Sequence, residues 1–104
     1  MAALYDALAP LEPSPIVELN RAVAIWITFG PAAGLEIVDA LVAEPSLKAY
    51  HLLPSVRGDL LAKLGRDGEA ATEFRRAAEL TRNTRERAFL LERADTSAAR
   101  RRTH

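Results

Sequence analysis

The sequence predicts an all-α protein. Alanine, leucine, glutamate and arginine, which favour helices, dominate the 104 residues. No alternating run of β-branched residues lies between turn residues, as a half-buried strand would require. Most prolines and glycines stand between the periodic stretches, where they separate one helix from the next. These observations predict about six helices with short connections, and short connections make neighbouring helices antiparallel.

The first part of the chain predicts three helices. A short helix covers about residues 2–9, and prolines separate it from the next. The second helix covers about residues 15–29, because Ser14 and Pro15 supply an N-cap and a first-turn proline. Its later half is apolar on all sides, which favours a position between layers or at an interface. The third helix covers about residues 31–43, after a glycine that ends the second.

The second part predicts three more helices. The fourth covers about residues 47–64, and we expect Pro54 to kink or break it near Leu53. The fifth covers about residues 67–81 with Asp67 as its cap. The sixth begins with a capping box in which an asparagine replaces the usual serine or threonine.

Composition limits the classes of function. The chain is 49% hydrophobic and 27% charged, as expected for a single globular domain, and it contains no cysteine. Disulfides, thiolate nucleophiles and cysteine zinc sites are therefore excluded. The longest apolar run, residues 22–29, is much shorter than the roughly 20 residues that a membrane-spanning helix needs. No secretory signal pattern is present at the start of the sequence, so we expect a cytoplasmic protein.

The net charge of zero conceals an asymmetry. Residues 1–46 carry one base against six acids, a net charge of −5, whereas residues 47–104 carry thirteen bases against eight acids, a net charge of +5. Such halves suit docking against a neighbour or head-to-tail association. The alternative is that they are solvated helix faces.

Small and aromatic residues recur at fixed spacing in the fourth and fifth helices. Gly58 lies on the fourth, and Ala70, Phe74 and Ala77 share one face of the fifth. This pattern resembles one tetratricopeptide unit, in which a small residue lets the two helices of a pair pack closely. The resemblance predicts a right-handed stack of helix hairpins.

A weaker copy of the pattern lies 36 residues earlier. Its members are Ala22, Ile25, Gly34, Val38 and Leu41. The two repeat-like pairs then cover about residues 15–43 and 47–81 of a single domain at residues 1–97. The first and sixth helices act as caps, and residues 98–104 form a basic, fraying tail.

A closer resemblance extends over almost the whole chain. It rests on residues 19–24 (LNRAVA), 29–35 (FGPAAGL), 50–53 (YHLL), 60–66 (LLAKLGR), 81–83 (TRN) and 86–87 (ER). In order and spacing these stretches resemble bacterial extracytoplasmic-function (ECF) sigma factors that carry a C-terminal tetratricopeptide-like domain. The resemblance implies a role in transcription initiation.

The sigma domains of that family, which recognise promoter DNA and RNA polymerase, have no counterpart among the 104 residues. The chain is either an excised C-terminal domain or a truncated gene product. The resemblance implies that it supports or modulates those sigma domains, or receives a regulator protein. RNA polymerase and promoter DNA would be reached only through the upstream part.

Candidate partner-binding residues lie on the predicted first helix of each pair, which lines the concave surface of tetratricopeptide proteins. Asn20 and Arg21 could grip a peptide carboxylate or backbone there. The alternative is that Arg21 pairs locally with Glu18. Arg57 occupies the related face of the later repeat, and the same two interpretations apply to it.

Two further candidates are Tyr50 and His51. A single internal histidine without cysteine makes a poor metal site, so a structural or surface role is expected. No metal, cofactor or catalytic residue is predicted, because no nucleophile with an adjacent base stands out. The chain is therefore predicted not to be an enzyme.

The apolar residues Trp26, Ile27 and Phe29 cannot all face one core. Either neighbouring helices cover them from two sides, or one stays exposed for a partner or for a second copy of the chain. The alternative function is accordingly an oligomerisation or scaffold module unrelated to transcription. The bases at positions 75, 76, 82, 85 and 87 alternate with glutamates, which favours ion-paired helix surfaces over nucleic-acid binding.

Overall fold

The computed structural model describes residues 15–103, and every regular element in that range is helical. The elements are α1 (Pro15–Phe29), α2 (Pro31–Leu41), a 3₁₀ turn (Pro45–Leu47), α3 (Leu52–Lys63), α4 (Asp67–Leu80) and α5 (Thr84–Thr103). The all-α prediction is confirmed for this range. The helix predicted at residues 2–9 and the cap at Ser14 lie outside it. No helix in the described range is long and apolar enough to cross a membrane.

Each helix packs mainly against its neighbours in sequence. The contacts run from α1 to α2, from α2 to α3, from α3 to α4 and from α4 to α5. A single residue, Gly30, joins α1 to α2, and three residues each join α3 to α4 and α4 to α5. The short connections predicted from the sequence are therefore present at these three junctions, whereas residues 42–51, which include the 3₁₀ turn, join α2 to α3.

Close contacts between paired helices occur at the predicted small residues. A Cβ atom on Gly34 would lie 2.8 Å from the Trp26 Cβ and 2.9 Å from the Ala22 carbonyl oxygen. The backbone of α2 at Gly34 therefore packs directly against these two atoms of α1. A Cβ on Gly58 would lie 3.0 Å from the Phe74 ring, which fills the space between α3 and α4. Both glycines are required because any side chain would push its helix away from its partner.

The fourth predicted helix is wrong in its first part. Pro45–Leu47 form a 3₁₀ turn, and α3 begins only at Leu52. Pro54 therefore lies in the first turn of α3, where an amide N–H has no intrahelical acceptor and its loss costs nothing. No kink or break near Leu53 is needed, and Leu53 and Pro54 are buried against the core.

The helix ends confirm one predicted cap and correct another. The Glu86 amide donates to Asn83 Oδ1 at 3.0 Å, so Asn83 caps α5 as predicted. The reciprocal half of the predicted capping box is not formed, because the Asn83 amide donates to Thr81 Oγ1 and the Glu86 carboxylate pairs with His51. Asp67, expected to cap α4, is instead its first helical residue, and Arg66 at the N-cap position makes no side-chain capping bond. The N-terminus of α4 therefore lacks a side-chain acceptor.

The segment predicted to fray is helical up to Thr103. α5 continues through residues 98–103, which makes it the longest of the described helices. Ser97 is buried and Ala98 half-buried against α4, and Arg101 crosses Gly68. These contacts give the basic end of the chain a defined position beside the first turn of α4.

Candidate interaction surface

Charged and aromatic side chains connect α1, α3 and α5 on one side of the molecule. The Lys63 Nζ of α3 lies 4.9 Å from the ring centre of Trp26 on α1. Lys63 also lies 3.4 Å from Asp59 Oδ1, and the Arg93 Nη2 of α5 lies 2.8 Å from the same oxygen. We call Trp26, Asp59, Lys63, Arg93 and Phe89 the bridging row.

Helical spacing explains why these side chains meet. Asp59 and Lys63 are four residues apart on α3, and so are Phe89 and Arg93 on α5, so each pair shares a helix face. The Arg93 guanidinium lies 4.7 Å from the buried Phe74 ring and 5.8 Å from the Phe89 ring. Arg93 is therefore held by a carboxylate and two rings, which fixes its orientation.

The bridging row is accessible and carries a net positive charge. The Lys63 side chain is 44% exposed and the Arg93 side chain 37% exposed, whereas Asp59 is 22% exposed. One carboxylate partly neutralises two cations, and an aromatic ring lies at each end of the row. Such a surface suits a segment that brings carboxylates together with apolar side chains.

Arg57, a predicted partner-binding residue, is engaged within the chain. Its Nε lies 2.8 Å from Asp39 Oδ1 on α2, and its Nη1 lies 2.8 Å from Glu73 Oε1 on α4. Burial lowers the pKa of Arg57, but the hydrogen bond to Asp39 and the charges of Glu73 and Asp39 outweigh burial and raise it. Arg57 therefore stays charged and joins three successive helices.

The other predicted partner-binding residues form no ion pair with Arg57 among the described residues. Asn20 and Arg21 are exposed on α1, and Arg21 Nη1 lies 3.5 Å from Glu18 Oε2, the local pairing considered as the alternative. The Tyr50 and His51 rings meet edge to face at 6.0 Å. His51 Nε2 lies 2.5 Å from Glu86 Oε1 and so connects the start of α3 to the first turn of α5.

The apolar candidates on α1 have different environments. Trp26 packs against the core beneath Lys63, whereas Ile27 and Phe29 are 76% and 71% exposed. Two positions along a helix differ by about 200°, so Ile27 and Phe29 project to nearly opposite sides. They do not form one patch.

The expected ion-paired surface of the C-terminal half is wrong. None of Arg75, Arg76, Arg82 and Arg85 forms an ion pair with another residue in the range 15–103. Arg87 instead donates to the carbonyl oxygens of Ala78 at 3.2 Å and Thr81 at 3.0 Å, and so caps the end of α4. Three of the glutamates pair with other residues instead: Glu69 with Arg66, Glu73 with Arg57 and Glu86 with His51.

Within residues 15–103 no group of three or more histidine and acidic side chains is placed to hold a metal ion. Asp59, Lys63 and Arg93 were not among the candidates predicted from the sequence. The sequence did contain a signal for them, because Asp59 and Lys63 are four residues apart, and so are Phe89 and Arg93. The contact between α3 and α5 that brings them together depends on the fold and cannot be read from one helix.

Comparison with known proteins gives one curated relative. A protein of Rhizobium meliloti (strain 1021), described as Uncharacterized protein R00370, is 45% identical over 96 residues. The match covers 92% of this chain and 22% of the relative, so the chain spans about a fifth of that protein's length. No family model matches the chain, and no solved structure matches it. Because the match covers 92% of the chain, it overlaps each of the helices α1–α5.

Proposed function

We propose that the chain is a non-catalytic, tetratricopeptide-like interaction domain of an ECF sigma factor. In this proposal α1 with α2 and α3 with α4 are the two repeats of a right-handed stack, and α5 closes it. The domain acts in transcription initiation by docking on the sigma domains or on a regulator protein. The bridging row is the docking surface.

The observation that carries the proposal is the continuity of the bridging row across alternate helices. In a stack of hairpins the first helix of every pair lines one side, and the row lies on α1, α3 and α5. Three further features support a repeat stack: the close contacts at Gly34 and Gly58, and the sequential packing of the helices. The match to a fifth of a longer relative supports a module within a larger protein.

Docking can be tested by titrating this chain with the part of the R. meliloti relative that lies outside the matching 96 residues. Isothermal titration calorimetry is expected to show saturable binding. Lys63→Gln and Arg93→Gln are each expected to weaken it about tenfold, the effect of losing one charge-assisted contact. Far-UV circular dichroism verifies that both variants are folded.

The matched control is Lys48→Gln, which removes an exposed lysine outside the bridging row and should leave the affinity unchanged. Equal weakening by Lys48→Gln would show a general charge effect rather than a docking surface. Absence of binding at high micromolar concentration would exclude docking on the remainder of that protein. A regulator protein would then be sought as the occupant of the bridging row.

A second candidate function is self-association through the apolar end of α1. The observation that favours it is the 76% exposure of Ile27, because association that covers a large aliphatic side chain removes apolar surface from water. Sedimentation equilibrium is expected to show a dimer that Ile27→Glu dissociates. Ala99→Glu, at a small and exposed position on α5, is the charge-matched comparison and should leave the dimer intact. A monomer at 100 μM, about the upper range of such an experiment, would exclude this function.

A further inference from the structure

One face of α1 is apolar and open to solvent. Ile16, Val23 and Ile27 recur at helical spacing, so they lie in one row along the helix. Ile16 is 46% exposed and Ile27 is 76% exposed, and Val23 is half-buried. Asn20, which is also exposed, completes the row. We call Ile16, Asn20, Val23 and Ile27 the α1 row.

The α1 row is separate from the face of α1 that packs into the core. Leu19 and Ala22 are buried, and Trp26 packs against the core. With 3.6 residues per turn, the α1 row is rotated by about 100° around the helix axis from those three residues. α1 therefore has two apolar faces, and a helix that is apolar on more than one face is normally covered on each of them.

The part of the chain before α1 carries an apolar face of its own. It lies outside the described residues, and the sequence predicts a helix at residues 2–9. In that helix Leu4, Tyr5 and Leu8 share one face, and Asp6 lies on the opposite side. A helix of this length is marginal in water by itself, so its apolar face requires a surface to pack against.

The connection to α1 places such a surface within reach. Only residues 10–14 separate the predicted helix from α1, and five residues span at most about 17 Å. A connection this short returns the chain beside the helix that follows and makes the two helices antiparallel. The α1 row begins at Ile16, in the first turn of α1, and so starts next to this connection.

The lengths of the two helices determine how much of the α1 row is covered. A helix of eight residues is about 12 Å long, and Ile16 and Val23 are about 10 Å apart along the axis of α1. Ile27 lies about 6 Å further along the same axis. A helix at residues 2–9 can therefore cover the α1 row from Ile16 to Val23, whereas Ile27 stays open.

We infer that residues 2–9 pack as a helix antiparallel to α1, with their apolar face on the α1 row. The contact removes apolar surface of both segments from water. Asn20, a candidate for binding a partner, is then covered by the chain itself, and Ile27 remains available for self-association. The inference goes beyond the proposed docking function and does not depend on it, because the α1 row and the bridging row share no residue.

The polar member of the α1 row also finds a partner in this arrangement. When residue 9 lies beside Ile16 in an antiparallel pair, Tyr5 lies beside Asn20. A phenolic hydroxyl and a side-chain amide can each donate and accept a hydrogen bond. Covering Asn20 therefore leaves its amide with a hydrogen-bond partner.

The test is paramagnetic relaxation enhancement, measured by NMR on the ¹⁵N-labelled 104-residue chain. Because the sequence contains no cysteine, Ala3→Cys provides a single attachment site for a nitroxide, on the side of the predicted helix away from Leu4 and Leu8. In the antiparallel pair, position 3 lies beside the middle of α1. The loss of amide signal along α1 is therefore expected to be largest at residues 20–24. A loss that is largest at Ile16 and decreases steadily toward Phe29, or no loss in α1, would overturn the inference.

Two variants of the spin-labelled chain test whether the apolar face makes the contact. Leu8→Asp is expected to remove the maximum at residues 20–24, because it places a charge in an apolar interface. Ala7→Asp introduces the same charge about 100° away around the predicted helix and should leave the maximum in place. Far-UV circular dichroism verifies that both variants are folded. Equal effects of the two substitutions would refute a contact through the apolar face.

A mixing experiment separates the intrachain contact from exchange between two copies. The ¹⁵N-labelled native chain is mixed with unlabelled chain that carries the nitroxide at position 3. No loss of signal at residues 20–24 is expected, because the segment that covers each α1 row belongs to the same chain. A maximum at these residues in the mixture would assign the segment to a second copy and overturn the intrachain contact.

Discussion

Phe74→Ala is expected to destabilise the chain by about 3–5 kcal/mol, the usual cost of removing a fully buried aromatic side chain. Phe74 is 1% exposed, lies against Gly58 and supports the Arg93 guanidinium on its ring. Its loss leaves a cavity between α3 and α4 and removes the surface on which Arg93 rests. Urea unfolding followed by far-UV circular dichroism measures the change. For a domain whose total stability lies near the lower end of the usual range of about 5–15 kcal/mol, many molecules would be unfolded at 37 °C.

The matched control is Phe89→Ala. Phe89 contacts the same guanidinium at 5.8 Å but is 55% exposed, so its removal opens no cavity and is expected to cost less than about 1 kcal/mol. Similar losses for the two variants would mean that Phe74 does not fill the space between α3 and α4. The packing assigned to Gly58 would then be wrong as well.

Gly34→Ala is expected to destabilise the chain by about 1–3 kcal/mol although alanine favours helices more than glycine does. The new methyl group would lie 2.8 Å from the Trp26 Cβ and 2.9 Å from the Ala22 carbonyl oxygen. Neither atom can move away by a side-chain rotation, because the Ala22 oxygen belongs to the backbone and the Trp26 Cβ is bonded directly to it. α1 and α2 must therefore separate by a fraction of an ångström. Thermal unfolding followed by circular dichroism measures the loss.

Gly68→Ala is the same substitution in a different environment. Its methyl group would meet only the side chain of Arg101, which is exposed and can change rotamer. The variant is therefore expected to be neutral or stabilising by up to about 1 kcal/mol, through the reduced freedom of the unfolded chain. If Gly34→Ala were also neutral, the close contact between α1 and α2 would be refuted.

Much of the helical architecture could be predicted from the sequence because its signals are local. Gly58 and Phe74 were predicted to meet from the spacing of small and aromatic residues, and Asn83 was predicted to cap α5 from the residues beside it. Each prediction depends on one helix hairpin or one turn. The same reasoning failed at Pro54, since proline in a first turn and proline in a helix interior look alike until the start of the helix is known.

The candidate surfaces were harder to predict because they depend on which helices become neighbours. Arg57 carries the same charge whether it binds a partner or forms ion pairs with Asp39 and Glu73. The sequence cannot distinguish these roles, because the ion pair with Asp39 depends on the packing of α2 against α3. Asp59 and Arg93 are 34 residues apart, so no window of helical periodicity includes both. Arg101 likewise lies against Gly68 only because α5 extends to Thr103 and runs alongside the first turn of α4.

The sequential packing of α1 through α5 has a consequence for how the chain folds. Contacts between neighbouring hairpins require only short loops to close, and chains dominated by such local contacts reach the native state within microseconds to milliseconds. Opening can also begin at one end without separating the other. α1 and α2 could thus separate from α3, α4 and α5 while those three helices remain packed together. Such a separation would break the ion pair between Arg57 of α3 and Asp39 of α2.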